Sequence, residues 1–177
     1  SIYSPDSCAL EGTDSAVFSI ARNASNIAYP IAAYLDWTGT ATMRNDYPYH
    51  PEFAIINAGE TSASDTIFAR SDEAAEIAET IDLQIETAPA YSIGTAAAQL
   101  YILSENATNT WTGGGDGVNW SDAVNWSDGF APVACQNVAL AGGSLVMVAA
   151  GVGAVGKTLE VALGAELEVT GTLEVGQ

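Results

Sequence analysis

Over roughly the first hundred residues, apolar and polar side chains alternate in short runs bounded by Gly, Pro, Asn and Asp. The three-to-four-residue spacing of an amphipathic helix is nearly absent. The runs predict strands over Ala16–Arg22, Ile31–Trp37, Glu52–Asn57, Asp65–Arg70, Thr80–Ile85 and Ala97–Leu103. Because successive side chains of a strand point to opposite faces, Ile31, Ala33, Leu35 and Trp37 share one face of the second run, and Ile81, Leu83 and Ile85 share one face of the fifth. The segment Ser71–Ile85 has the Ala and Glu content of a helix but reads as a loop followed by a strand. Short strands with turn signals at this spacing predict an all-β sandwich.

The pattern changes at Asn106-Ala107-Thr108-Asn109-Thr110, which holds no large apolar residue, and the sequence beyond it is rich in Gly and Val. This places a domain boundary between residues 1–106 and 107–177. The second part ends in three similar words, Leu159-Glu160-Val161, Leu167-Glu168-Val169 and Leu173-Glu174-Val175, each followed within a few residues by Gly. Short strands with Leu and Val on one side and Glu on the other, turning at Gly, suit a β-solenoid whose rungs bury their apolar rows by stacking. A stack of hairpins would show the same alternation, so this part is expected to be a small β-solenoid-like or β-rich domain.

Charge changes the picture of partners. Four basic residues, Arg22, Arg44, Arg70 and Lys157, stand against 22 acidic ones, for a net charge of −18. That excludes nucleic acid and an anionic membrane surface as partners. No basic side chain lies between Arg70 and Lys157, so a cation from solution is one candidate counter-charge for the carboxylates there; an acidic surface kept for solubility is the other reading. The most apolar stretch, Val138 to Val155, is interrupted by Gly142, Gly143, Ser144 and Gly151, so no membrane insertion is expected. No charged-then-apolar leader opens the chain at Ser1; an export signal would already be gone or lie outside this sequence. The expected location is extracellular, secreted or on a cell surface. Cys8 and Cys135 could form one disulfide there or be two unrelated thiols.

Candidate chemistry begins with carboxylates. Glu11, Asp46, Asp72, Glu73, Glu76 and Glu105 all fall just outside predicted strands, and loops of a Greek-key sandwich meet at one end. Calcium takes six to eight oxygens, so such a convergence is what a site would need. The order Glu11-Gly12, Gly39-Thr40-Ala41, Asp46-Tyr47, Phe53, Ala58-Gly59-Glu60-Thr61, Ser71-Asp72-Glu73, Glu76, Glu79-Thr80 and Ser104-Glu105-Asn106 resembles the Calx-beta domain over about residues 5 to 106. The resemblance implies an immunoglobulin-like, calcium-binding Greek-key sandwich, with Glu11, Asp46, Asp72, Glu76 and the residues after the last strand as ligand positions. The family's consecutive aspartates are replaced by Ser71-Asp72 and by Ser104-Glu105-Asn106. Fewer or longer carboxylates imply weaker Ca2+ binding, one ion rather than several, or a sandwich that keeps only the fold.

The second part carries an echo, Asn119-Trp120-Ser121-Asp122 and then Asn125-Trp126-Ser127-Asp128. Trp111, Gly113, Trp120, Asn125-Trp126, Gly129 and Pro132, followed by the Leu-x-Val words, resemble the opening of solenoid passenger regions in autotransporter-like and other giant bacterial surface proteins. The resemblance implies that Trp120 and Trp126 cover the first rung while their Asn and Asp neighbours make local turns. The rival reading makes Trp111, Trp120 and Trp126 an exposed platform for a glycan. Asn23, Asn106, Asn119 and Asn125 also fit the short glycosylation acceptor pattern. No nucleophile motif accompanies the single histidine, His50, in Tyr47-Pro48-Tyr49-His50-Pro51, so it is expected to be a loop residue and the chain not to be an enzyme.

These readings predict a non-enzymatic extracellular structural or adhesive protein, or a filament subunit, stiffened by calcium. The alternative is a carbohydrate-binding accessory module of a secreted hydrolase. Because Leu173-Glu174-Val175 ends in full rhythm, self-association or a larger array is expected to cover the last rung, through further rungs or through another copy, with Ser1 to Ser7 as a candidate strand donor.

Overall fold

The computed structural model describes residues 1–71, 78–104 and 107–176. They divide into two compact units, one up to residue 104 and one from residue 107 onward. Among the described residues the structure is all-β, with one 3-10 turn at Ala123–Asn125.

The first unit is a sandwich of two sheets. Strands β1 (Ile2–Asp6), β3 (Ser15–Ala21) and β6 (Ser62–Phe68) form one sheet in the order β1-β3-β6. Strands β2 (Cys8–Leu10), β4 (Ile31–Gly39), β5 (Phe53–Ile56), β7 (Glu79–Ile85) and β8 (Ala97–Leu103) form the other, in the order β2-β8-β7-β4-β5. All pairs are antiparallel except β2 with β8. The inner face of β7, Ile81, Leu83 and Ile85, is buried in a core with Leu35, Phe18, Ile20 and Ile67, and Trp37 packs against it. The expected apolar faces of β4 and β7 therefore lie inward.

Three expectations need correction here. Strand β6 starts at Ser62 rather than near residue 65 and ends at Phe68, because a Ser- and Thr-rich edge strand carries little apolar alternation. Its Ser64 hydroxyl instead meets that of Ser19, 2.6 Å away on β3. Residues 2–6 and 8–10, not predicted as strands, form β1 and β2. Ser1 to Ser7 is thus no free donor arm: Ile2 pairs with Ile20 and Tyr3 with Ser19 within this unit. The loop predicted ahead of β7 lies mostly outside the described residues.

The second unit is built from parallel strands stacked on three faces. Strands β10 (Asn137–Leu140), β11 (Leu145–Val148) and β12 (Gly153–Gly156) make one turn of chain, and β13 (Thr158–Val161), β14 (Glu166–Val169) and β15 (Thr172–Val175) make the next. They pair in parallel as β10 with β13, β11 with β14 and β12 with β15, so hairpins are not the arrangement. Short β9 (Thr108–Thr110) lies on the other side of β10, and Asn119 bridges to Met147 of β11 in the same sense. The polar stretch taken as the boundary therefore contributes a strand, with Asn109 fully buried.

Registers set the step. Asn137 pairs with Thr158 and Leu145 with Glu166, a stagger of 21 residues (158 − 137 and 166 − 145), whereas Gly153 pairs with Thr172, a stagger of 19. Two residues are lost at the corner before β15, where only Thr170-Gly171 separate it from β14. The amides of Thr170 and Gly171 both donate to the carbonyl of Val148, and a Cβ on Gly171 would lie 2.3 Å from the carbonyl oxygens of Ala149 and Val152. Only glycine lets the tight corner tuck beneath the wider one.

Candidate functional site

At one end of the sandwich three loops meet. Glu11 follows β2, and its amide donates to Leu103 O at 2.9 Å, while the amide of Gly12 donates to Ala69 O at 3.4 Å. The Glu11 side chain is buried. Asp46 closes the Thr42–Asp46 turn: its amide donates to Thr42 O, and its carboxylate accepts from the Thr42 amide. Its carbonyl accepts from the Arg70 amide at 2.8 Å. The Glu11 and Asp46 loops are thus fastened to adjacent residues, 69 and 70, of the β6–β7 connection. Of the remaining predicted ligands, Asp72, Glu73, Glu76 and Glu105 lie outside the described residues. Among the described residues no group of three or more His, Cys, Asp or Glu side chains is placed to hold a metal ion. Of the predicted ligands, the described part of this end holds Glu11 and Asp46, too few for calcium by themselves.

The sequence shows the positive charges of Arg44 and Arg70 but not that they meet at the same end. Arg44 sits in the Asp46 turn with φ at 78°, its guanidinium over the Tyr49 ring at 5.2 Å. Arg70 donates from Nη1 to Arg44 O at 2.6 Å. No spacing rule pairs residues 44 and 70; only the sheet topology brings them together. Burial, and then the adjacent Asp46 charge, push the Tyr47 hydroxyl above its ordinary range. His50 stacks on Trp37, centroids 5.3 Å apart, and its Nδ1 lies 3.0 Å from Asp65 Oδ2, so it is a packed loop residue.

Of the echo in the second unit, the two tryptophans share a use and the polar residues do not. Trp120 and Trp126 are 2% and 3% exposed, and Trp111 is 4%. Trp126 meets the other two rings edge-on, with centroids 5.0 Å from Trp111 and 4.8 Å from Trp120. Its indole N–H donates to Trp120 O at 2.7 Å. The three rings join Val138, Leu140, Val146, Val148 and Ala154 in one core, so they present no face for a sugar to stack on. The glycan platform is corrected on that ground.

The polar members of the echo bond to backbone groups and to other polar side chains. Asn125, fully buried, accepts from the amides of Gly115 and Gly117 and donates to Asp116 Oδ1 and Asn119 O. That burial also removes Asn125 as an acceptor for glycosylation in the folded chain. Asp122 accepts from the amides of Asp116 and Val124, and Asp128 accepts from Gln136 Nε2 at 2.6 Å. Asp116 accepts from the amides of Asn119 and Val118 and from the side chains of Asn119 and Asn125, which hold its carboxyl well below the usual carboxylate range. Asn109 and Gln136, both fully buried, are joined to each other and to Asp128, Ser127 and Phe130. A buried Asn in a polar run gives no periodic signal, and it was missed for that reason. Both cysteines are disulfide-bonded.

No protein-family model matches the sequence, and no curated protein matches it. Among solved structures, the chain is similar to the calcium binding domain CBD12 of CALX1.1, with a TM-score of 0.50 and 15% identity, over 70% of this chain and 52% of that one. It is equally similar to CBD12 from CALX1.2, with a TM-score of 0.50 and 14% identity over the same shares. The chain contains a Calx-beta-like sandwich. It spans about half the length of these two structures, and at such identity the likeness is one of fold.

Proposed function

We propose that the chain is a non-enzymatic structural module of an extracellular or cell-surface assembly, in which the Calx-beta-like sandwich takes calcium and the second unit is a β-solenoid-like stack whose open apolar row is covered by further turns of chain or by another copy. One observation carries the assembly reading. Leu140 and Val148 are buried at 1% and 0% beneath β13 and β14, whereas their ladder partners Val161 and Val169 are 45% and 41% exposed. The row on β13 and β14 is of the same kind that the preceding turn buries, so further turns of chain or another copy would cover it. Calcium is supported by the fold likeness to domains described as calcium binding and by the common anchoring of the Glu11 and Asp46 loops.

Light scattering of the 177-residue chain across concentration tests the assembly, with Val161→Lys/Val169→Lys as the comparison. The parent is expected to associate and the variant to stay monomeric. A parent that remains monomeric at high concentration, with β14 and β15 protected from hydrogen exchange, overturns it. Calcium is tested separately: it should raise the melting temperature of the sandwich, about 2.7 kcal/mol when free ion is a hundredfold above Kd. Asp46→Asn, which keeps the turn's acceptor and removes the charge, should shrink that gain. A melting curve indifferent to millimolar calcium in the parent overturns the calcium part alone.

A further inference from the structure

The sandwich has a second end, opposite the carboxylate loops, and there its core is not closed. A half-open cavity of about 620 Å³ enters between the two sheets, where the β3–β4 and β7–β8 connections flank it. Its floor is Ile20 from one sheet and Ala33, Ile56 and Ile85 from the other, all buried residues of the main core. Ile31 and Ile93 form apolar sides and are only partly covered. The volume falls within the range of small-molecule pockets, about 300–1,000 Å³.

Both walls are held in place by side chains whose polar atoms are spent on backbone. Arg22 donates from Nε to Glu60 O at 2.8 Å, from Nη1 to Tyr29 O at 2.6 Å, and from Nη2 to Asn57 O at 2.7 Å and Ile27 O at 3.3 Å. These bonds tie the β3–β4 connection to the β5–β6 turn, as does the Gly59 amide to Ile27 O at 2.7 Å. On the other wall the Tyr91 hydroxyl donates to Glu86 O and accepts from the Tyr34 amide. A wall fixed in this way does not have to be ordered when a ligand enters.

We propose that this cavity binds an uncharged small molecule with a compact apolar body and a hydrogen-bonding group at one end. The apolar floor takes the body, and the rim offers the neutral side chains of Asn23, Ser25 and Ser92 for the polar end. Both cationic groups lining it are engaged by backbone carbonyls, the Arg22 guanidinium by four and the Ser1 ammonium by Ala21 O at 2.9 Å, and a chain of net charge −18 repels anions, so an acid or a phosphate is disfavoured.

Two fluorescent probes with the same aromatic body test it on the full chain: neutral N-phenyl-1-naphthylamine and its sulfonated, anionic analogue 1-anilinonaphthalene-8-sulfonate. The neutral probe is expected to show saturable one-to-one enhancement and to bind at least tenfold more tightly than the sulfonate. Ser92→Trp at the exposed rim and Ala33→Phe on the floor should each weaken it at least tenfold. If Ala33→Phe fails to fold by circular dichroism, Ser92→Trp alone decides. No saturable enhancement overturns the proposal, as does binding unchanged in the folded variants, or a sulfonate that binds as tightly. Occupation at half stoichiometry that tracks dimer formation overturns it in favour of a second copy in the cavity.

Discussion

The two units bury their apolar residues by different geometry. In the sandwich, Leu35 pairs with Ile85 and Trp37 with Leu83 across one sheet, and the facing sheet supplies the cover with Phe18, Ile20 and Ile67. Whether a residue is buried there is decided inside the unit. In the stacked turns the cover for each residue is the next turn of chain. Leu140 and Val161 are ladder partners with like neighbours, yet one is 1% exposed and the other 45%. Burial in such a stack is passed from turn to turn, and a side chain's identity says less about it than its place in the series.

The sharpest way to break this comparison is at the tryptophans, which bring sandwich-like, non-repeating packing into the stacked unit. Trp126→Ala removes a ring 3% exposed and in contact with Trp111 and Trp120, and should cost about 3–5 kcal/mol in denaturant unfolding followed by far-ultraviolet circular dichroism. A loss below about 1 kcal/mol would mean the rings do not hold the turns together. Next in size, Leu140→Ala should cost about 2–4 kcal/mol and Val161→Ala under about 0.5 kcal/mol in the monomer. Equal costs would erase the distinction between covered and open turns.

The smallest effect is in pH, where the units should fail at opposite ends of the scale. Asp116 is depressed by its amide and side-chain donors, so its contribution is present above the ordinary carboxylate pKa of about 4 and lost as pH falls through its lower folded value. Asp116→Asn should flatten that acid limb. Asp128 has the opposite sign, since burial raises it against the bonds from Ser127 and Gln136; what it contributes below the ordinary value is lost as pH rises through its raised one. In the sandwich, burial, and then neighbouring Asp46 and Asp82, raise Tyr47 and Tyr101. Their contribution is present below about pH 10 and lost as pH rises through their higher folded values. Unfolding midpoints from pH 3 to 11, read separately by the Trp111, Trp120 and Trp126 cluster and by Trp37 in single-cluster variants, check both limbs.

How much of this was legible follows from where each signal resides. The central strands could be read because one inward face writes an alternation: β8 occupies the predicted Ala97–Leu103, and β7 differs from its prediction by one residue. Edge strands β1, β2 and β6 are short or polar and write little. The Leu-Glu-Val words marked β13, β14 and β15, while the turn before them read only as a broken apolar stretch, because Gly142, Gly143 and Gly151 interrupt it at corners. Valines 161, 169 and 175 were expected inward and remain more than 40% exposed, since alternation fixes a side but not whether anything lies upon it. At the carboxylate end, Glu11 and Asp46 were found as loop residues, but the meeting of Arg44 and Arg70 was not found. Charges that converge only through topology have no spacing to betray them.

The 21-residue stagger of β10 on β13 and of β11 on β14 bears on how such a chain can change over generations. One more turn lengthens the stack by a strand spacing, about 4.8 Å. A duplication of one full turn sets like upon like and leaves every apolar row in line, whereas a single residue inserted within a strand sends its side chains to the wrong side. The third face, two residues shorter at Thr170-Gly171, marks a place where a change other than a whole turn is absorbed, because the corner takes it up and the strands do not. Length in this unit is therefore heritable in discrete steps, with corners as the permissive sites and Gly171 as the residue that an altered corner must keep.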